Sequence, residues 1–157
     1  MMMRHHFATR LVWTGAAKGP AVTYDGYSRE YLIEIDGKAP LRGSSVPAFL
    51  GDPALHNPED LLVASLSACH MLWYLHLCTD AAIEIADYTD DAEGWMEFSD
   101  GKLAFTEVLL RPNVTILAGD AERAKALHVD ANGKCFIANS VNFPVRHQPV
   151  INLADGS

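Results

Sequence analysis

The sequence predicts an α+β domain, and three observations point to it. Short runs of β-forming residues lie before and after one long apolar segment of the 157-residue chain. No βαβ alternation repeats along the chain, which argues against a parallel doubly wound sheet. Hydrophobic residues make up 49% of the sequence, enough to build a core. We therefore expect one domain over residues 1–157, with strands, a long helix, more strands and a short helix.

Two strands are predicted before the apolar segment. The run RLVWTG at 10–15 is rich in β-formers, and EYLIEIDG at 30–37 alternates apolar with acidic residues. Asp36-Gly37 is a turn signal that ends the second strand. The stretch LRGSSVPAFLGDPALHNP at 41–58 is rich in Gly, Pro and Ser, so we expect a loop there.

The apolar segment begins with a strong helix start. Asn57 is a good N-cap, Pro58 suits the first helical position, and Glu59 and Asp60 lie where the helix dipole favours negative charge. The helix is predicted to end near Asp80.

This helix is predicted to lie inside protein rather than in a membrane. Its uncharged run, residues 61–79, would span about 28 Å, near the lower limit for a bilayer. Serine, histidine and threonine dilute it, and the flanking residues Asp60 and Asp80 are acidic, where lysine or arginine would anchor a membrane span. A helix that is apolar on all sides needs cover on all sides, which suggests that a second subunit contributes.

Three further strands and a second helix are predicted after the central helix. The strand candidates are AIEIADYTDD at 82–91, GWMEF at 94–98 and LAFTEVLLRPNVTIL at 103–117. The amphipathic run DAERAKALHVDA is predicted to be a helix capped by Asp120. CFIANS at 135–140 suits a helical turn, and the proline-flanked FPVRHQPVINL at 143–153 suits an edge strand.

The net charge and the cysteine content exclude some classes of function. The net charge of −8 and the scattered basic residues argue against nucleic-acid binding. The three cysteines do not form a disulfide framework or a zinc-ribbon spacing, which suits a reducing, cytoplasmic location. No signal peptide is evident at the N-terminus, because Arg10 interrupts any apolar run there.

Each cysteine taken alone is open to two interpretations, an inert buried thiol or a nucleophile. Cys69 lies in the middle of the predicted helix among small residues. Cys78 follows nine positions later and therefore faces the other side of the helix. Cys135 follows a turn-like Asn132-Gly133-Lys134. Position alone does not decide between core filler and chemistry.

The motifs around two of these cysteines resemble a known family. The segment NPEDLLVASLSACH, followed about 65 residues later by CFIANSVNFPV, is similar to the OsmC/Ohr family of osmotically inducible and organic-hydroperoxide-resistance proteins. The similarity extends to YSREYLIEIDG, GSSVPAFLGD and LLRPNV, so it covers most of the chain. It implies an OsmC-like fold, with antiparallel sheets wrapped around a long buried central helix in an intertwined homodimer. It also implies a thiol-dependent peroxidase that reduces organic hydroperoxides, including lipid hydroperoxides.

The resemblance assigns roles to four residues. Cys69 matches the peroxidatic cysteine, Cys135 the resolving cysteine and Glu59 the acidic residue of the helix start. The family's arginine lies on an early strand, where Arg29 fits best and Arg42 is the alternative. In this interpretation Glu59 holds the arginine in place.

The predicted chemistry constrains the geometry. A thiol in an apolar helix far from the helix N-terminus needs a neighbouring cation to ionise, and arginine suits because it stays charged. Ten helical residues separate Glu59 from Cys69, about 15 Å along a straight axis. Either the helix is broken between them, or the arginine and Glu59 come from the partner subunit. We expect the second arrangement, a homodimer with shared active sites.

The resemblance and the apolar side chains near the cysteines also suggest ligands. Leu66, Leu72, Trp73 and Phe136 are predicted to bind the apolar body of an organic hydroperoxide. Regeneration would need an external dithiol, which is often lipoyl-linked in the family. No cofactor or metal is expected, since His70 and His76 lie about 240° apart around the helix.

One departure from the family keeps an alternative open. Asn132 stands where relatives often carry a histidine, although His128 lies nearby in sequence. The alternative is an OsmC-fold binding protein without peroxidase activity. A cysteine hydrolase is disfavoured because His70, next to Cys69 in sequence, would point elsewhere.

Overall fold

The structure is a computed structural model that describes residues 4–154. The chain divides into two compact units, residues 1–61 and 62–157.

The first unit contains a three-stranded antiparallel sheet in the order β1-β2-β3. Its strands are β1 (Arg10–Val12), β2 (Tyr31–Glu34) and β3 (Leu41–Gly43). The first two lie within the predicted runs. The third lies in the stretch predicted as loop, and that prediction was wrong, because Leu41 pairs with Ile33 and Gly43 with Tyr31 across the sheet. Three residues are too few to show a period-2 pattern.

The long helix α1 (Pro58–Asp80) agrees with its predicted bounds. Asn57 caps it, since its side-chain oxygen accepts a hydrogen bond from the Asp60 backbone N–H at 2.8 Å and its amide donates to the Asp60 carboxylate at 2.7 Å. The helix runs unbroken over 23 residues. The alternative of a break between Glu59 and Cys69 is therefore wrong.

A single chain does not cover helix α1 on all sides. This agrees with the sequence-based expectation that a second subunit contributes to its cover. Its buried residues form a single stripe at four-residue spacing, Leu66, His70, Tyr74 and Cys78. Another stripe at the same spacing is exposed, namely Ala64, Ala68, Leu72 and His76. By length and composition α1 is apolar enough to cross a membrane, but core helices of other proteins pass the same test. The face of α1 that carries the buried stripe packs against its own chain, and the opposite face is uncovered.

The second unit contains two three-stranded sheets, in the orders β4-β7-β9 and β5-β6-β8. Their strands are β4 (Glu84–Asp90), β5 (Glu93–Ser99), β6 (Lys102–Leu110), β7 (Pro112–Ala118), β8 (Val145–His147) and β9 (Val150–Leu153). The run predicted as one strand over 103–117 is two strands in different sheets, because the chain changes sheet at Arg111.

The last two strands correct one prediction and confirm another. Strand β8 pairs with β6 and β9 pairs with β7 in parallel, so the expectation of purely antiparallel sheets was wrong for this unit. The run predicted as one edge strand over 143–153 is two strands in different sheets, but each lies at the edge of its sheet, as the flanking prolines predicted.

The second helix, α2 (Ala121–Lys134), is capped as predicted. The Asp120 carboxylate accepts a hydrogen bond from the Arg123 backbone N–H at 2.7 Å. The helix ends at Cys135, and a 3₁₀ turn follows at Ala138–Ser140, which confirms the predicted helical turn.

Two apolar clusters form the core of the second unit. The larger joins the C-terminal half of α1 to β7 and α2, through Tyr74, Cys78, Ile83, Val114, Ile116, Ala124, Leu127 and Ala131. The smaller joins Leu66 of α1 to Val108 and Leu110 of β6. These contacts fix α1 against both sheets and α2, and so determine which side chains surround Cys69.

Gly51 in the first unit is a position where a side chain does not fit. A Cβ atom there would lie 1.6 Å from the Ser45 carbonyl oxygen. We expect Gly51→Ala to lower the free energy of unfolding by about 3 kcal/mol, because backbone must move to relieve the clash. Gly133→Ala is the control, since that exposed position in α2 has no atom within 4 Å of the added Cβ.

Denaturant titration of both variants measures this difference. Gly133→Ala should gain roughly 0.5–1 kcal/mol from the better helix propensity of alanine. Equal stability of the two variants would contradict the close packing of the Gly51 loop.

Candidate functional site

Cys69 lies in the middle of α1 and is half-buried, beside the buried stripe of that helix. Its thiol is free, as are those of Cys78 and Cys135. Among residues 62–154, no basic side chain hydrogen-bonds to Cys69. This unit of the chain therefore holds a free, half-buried thiol that no basic side chain of the unit hydrogen-bonds.

Cys135 is held at the C-terminal end of α2. Its sulfur accepts a hydrogen bond from the Ala138 backbone N–H at 3.4 Å, and its carbonyl accepts one from Asn139 at 3.0 Å. Its side chain is 1% exposed. Burial raises the pKa of the Cys135 thiol to about 11, and the adjacent Cys69 thiol adds to that rise.

The structure brings Cys69 and Cys135 together. One thiol comes from the middle of α1 and the other from the end of α2, and Cys69 is near enough to Cys135 to raise the pKa of its thiol. Cys78 is fully buried in the larger core cluster instead, and burial raises the pKa of its thiol. The arrangement provides one accessible thiol with a second beside it, and leaves the third as core.

Three of the four side chains predicted to bind substrate also lie together. Leu72, Trp73 and Phe136 line a groove of about 320 Å³ together with His76. Phe136 directly follows Cys135 in the sequence. The Trp73 and Phe136 rings pack edge to face with centroids 5.4 Å apart, and the Lys134 ammonium lies 5.5 Å from the Trp73 ring centroid. These residues form an apolar surface beside the cysteine pair.

Leu66 does not belong to that surface. It is fully buried and packs against Val108 and Leu110 of β6. The prediction that it binds substrate was wrong, because its position on α1 faces the sheet and leaves no area for a ligand.

Arg29 and Glu59, both in the first unit, are not paired. Arg29 lies two residues before β2 rather than on a strand, and its guanidinium donates to the backbone carbonyls of Tyr24 and Tyr27. It also lies over the Tyr27 ring, 3.9 Å from the centroid. The expectation that Glu59 holds this arginine was therefore wrong, and aromatic rings and carbonyls hold it instead. The alternative, Arg42 on β3, is exposed and pairs with Glu30 at 3.7 Å.

Sequence reasoning missed a cluster of buried histidines in the second unit. His70 Nε2 and His128 Nδ1 are 2.9 Å apart, and the His147 ring centroid lies 5.6 Å from that of His70. Burial lowers the pKa of His70 to about 4 and that of His128 to about 3, and neighbouring histidines contribute to both shifts. His70 thus makes a polar contact with another histidine. No sequence signal connects it to His147, which lies on a distant strand.

Comparisons with known proteins agree with this fold. A family model described as OsmC-like protein matches residues 51–149. An OsmC-like protein of unknown function from Vibrio cholerae is 30% identical, with a TM-score of 0.85, over 94% of this chain and 100% of its own. An organic hydroperoxide resistance protein from Elizabethkingia anophelis is 20% identical, with a TM-score of 0.67, over 96% of this chain and 99% of its own. The uncharacterized protein YmaD of Bacillus subtilis is 22% identical over 94% of this chain and 93% of its own length.

Proposed function

Because this chain belongs to the OsmC-like protein family, we propose that it is a thiol-dependent peroxidase that reduces organic hydroperoxides. The observation that carries the proposal is that Cys69 and Cys135 are near neighbours, since a peroxidase of this kind needs two such thiols. A relative of similar fold is named as an organic hydroperoxide resistance protein, which supports the substrate class.

The proposed reaction begins at Cys69. Its thiolate sulfur attacks the terminal peroxide oxygen, the O–O bond breaks, and the organic alkoxide leaves and takes up a proton. Cys69 becomes a sulfenic acid. The Cys135 sulfur then attacks the Cys69 sulfur and a disulfide forms. The hydroxide displaced from the sulfenic acid takes up the Cys135 proton and leaves as water. An external dithiol, of the lipoyl-linked kind in our proposal, reduces that disulfide by exchange.

We place the cation for this reaction in a second copy of the chain. Arg29 makes its hydrogen bonds inside the first unit, and the exposed stripe of α1 is apolar except for His76 and is uncovered in one chain. A homodimer would cover that stripe, and would allow Arg29 and Glu59 of one copy to approach Cys69 of the other. Arginine would then stabilise both the thiolate and the leaving alkoxide.

The groove beside the cysteines suits an apolar substrate. Leu72 and Phe136 are both more than 60% exposed in the single chain, and their side chains offer no hydrogen-bonding groups. They would favour an organic hydroperoxide over hydrogen peroxide by contact with its apolar body.

Turnover of cumene hydroperoxide with a dithiol reductant tests the proposal. The wild-type protein should consume the peroxide catalytically, and Cys69→Ala should abolish consumption because the attacking sulfur is gone. Cys78→Ala is the matched control and should retain activity, since Cys78 is a core thiol outside the pair.

An inactive wild-type protein, indistinguishable from Cys69→Ala, would contradict the peroxidase. The alternative, a binding protein that keeps the OsmC fold, would then replace it.

A further inference from the structure

Helices α1 and α2 contact each other through a pair of buried histidines close to the two thiols. His70 of α1 directly follows Cys69 and is 1% exposed, and His128 of α2 is fully buried. His70 Nε2 and His128 Nδ1 are 2.9 Å apart, so one of these nitrogens donates a hydrogen bond to the other. A hydrogen bond needs a defined direction as well as a distance, whereas apolar burial is non-directional. This histidine pair therefore constrains how the two helices are oriented.

The His128 ring also constrains how far α2 can slide along α1. Two rings of α1 that are four residues apart, those of His70 and Tyr74, both lie nearly parallel to it. The ring centroids are 5.3 Å apart for His70, with the planes at 7°, and 3.8 Å apart for Tyr74, with the planes at 10°. A slide of one helical turn, about 5.4 Å, would break both contacts and the hydrogen bond.

The side of α2 that meets α1 at the histidine pair also leads to the second thiol. Four buried residues of α2 and its C-terminal end follow one another at three- and four-residue spacing, namely Ala124, His128, Ala131 and Cys135. This spacing places them along one side of the helix. A rotation of α2 that moved His128 away from α1 would therefore move Cys135 as well.

Apolar packing between the two helices begins farther along α1. The larger apolar cluster contains residues of both helices, but it includes α1 only from Trp73 onward, one turn beyond Cys69. The smaller cluster contains Leu66 of α1 and, within residues 4–154, no residue of α2. Phe136 packs on Trp73 as well, but it is 67% exposed. In the described part of the chain, the histidine pair is thus the buried contact between α1 and α2 beside Cys69.

We propose that the histidine pair positions Cys69 and Cys135 for disulfide formation. The inference rests on the proposed function, since it concerns the step in which the Cys135 sulfur attacks the Cys69 sulfur. A disulfide forms only when the two Cα atoms lie within about 7 Å and the side chains point toward each other. A small rotation of either helix would disturb that geometry. His70 and His128 are positioning residues, which act through the helices that carry the thiols.

Thiol–disulfide exchange with glutathione measures this positioning without any peroxide. The protein dithiol reacts with one glutathione disulfide to give the protein disulfide and two glutathione thiols. The equilibrium constant is the effective concentration of one protein thiol at the other. His128→Leu should lower this concentration about fivefold to tenfold, the equivalent of about one hydrogen bond. A uniform loss of stability affects the reduced and oxidised protein alike and would not change it.

Three variants separate the hydrogen bond from packing and folding. His128→Asn should restore the wild-type value, because its amide group lies where Nδ1 does and can still bond to His70. His70→Leu/His128→Leu leaves neither histidine unpartnered, so it should stay folded but show the same fall as His128→Leu. His147→Leu is the matched control and should keep the wild-type value. The His147 ring centroid lies 5.6 Å from that of His70, but its Nδ1 has no hydrogen-bond partner among the described residues.

The possible failures are distinct. Wild-type effective concentrations in His128→Leu and in the double variant would overturn the inference. An equal fall in His147→Leu, or no recovery in His128→Asn, would also overturn it, because packing rather than the hydrogen bond would then set the geometry. In each of these cases the wild-type protein still forms its disulfide. A wild-type protein that forms no Cys69–Cys135 disulfide would contradict the proposed function itself, and this inference with it.

Discussion

Acidification from pH 7 to pH 4 should destabilise the protein by several kcal/mol, mainly through His70 and His128. Both rings are almost fully buried, and they share one hydrogen bond of 2.9 Å with their planes only 7° apart. In that bond one nitrogen donates and the other accepts, so protonation of both rings would place two N–H groups face to face. The Tyr74 ring stacks on the His128 ring with centroids 3.8 Å apart and covers that face of it.

The direction of the effect follows from the pKa values. Burial holds the pKa of His70 near 4 and that of His128 near 3, below the 6.5 of an ordinary histidine. The unfolded chain therefore binds more protons than the folded chain below pH 6.5. Stability is complete above about pH 6.5 and falls as the pH drops toward 4, by about 3 kcal/mol for each ring. That is comparable with the whole stability of many domains.

Urea titrations at a series of pH values measure this dependence. His128→Gln should be less stable at pH 7, because His70 loses its partner, but its stability should fall less steeply between pH 6.5 and 4. His76→Gln is the control, since His76 is exposed on the other stripe of α1, and it should follow the wild-type curve. Equal slopes in all three proteins would contradict a titrating buried pair.

The elements that sequence predicted best are those with local signals. Asn57 and Asp120 each cap a helix through their own side chains, so a few neighbouring residues determine where α1 and α2 begin. The Cys69–Cys135 pair was found because the resemblance covered both motifs. Their contact depends on how α1 and α2 pack, which no local pattern reports.

The elements that sequence missed depend on distant partners. Strand β3 forms because Leu41 and Gly43 pair with residues of β2. Strand β8 is parallel to β6 because a late segment of the chain returns to pair with that distant strand. Leu66 and Leu72 are both leucines of α1, but Leu66 faces β6 and Leu72 faces outward. Hydrophobicity alone could not separate core from groove in a helix that is apolar on every side.

Replacing Cys135 with serine should limit the protein to about one turnover per chain before it is inactivated. Without the second thiol, the Cys69 sulfenic acid has no nearby sulfur to react with, and further peroxide oxidises it to the sulfinic and sulfonic acids. Intact-mass analysis after peroxide treatment with little reductant should show added oxygen on Cys69. The wild type and the Cys78→Ser control should instead show a disulfide.

In the proposed reaction the two thiols are not interchangeable. Cys135 is 1% exposed and burial raises the pKa of its thiol to about 11, so it is almost entirely protonated at neutral pH and is a poor nucleophile toward peroxide. Once Cys69 carries a sulfenic acid, the departing hydroxide can take up the Cys135 proton, and the barrier to the second step falls. Cys69→Ser should therefore be inert toward peroxide even though Cys135 remains. Peroxide oxidation of Cys135 in that variant at the wild-type rate would reverse the assignment.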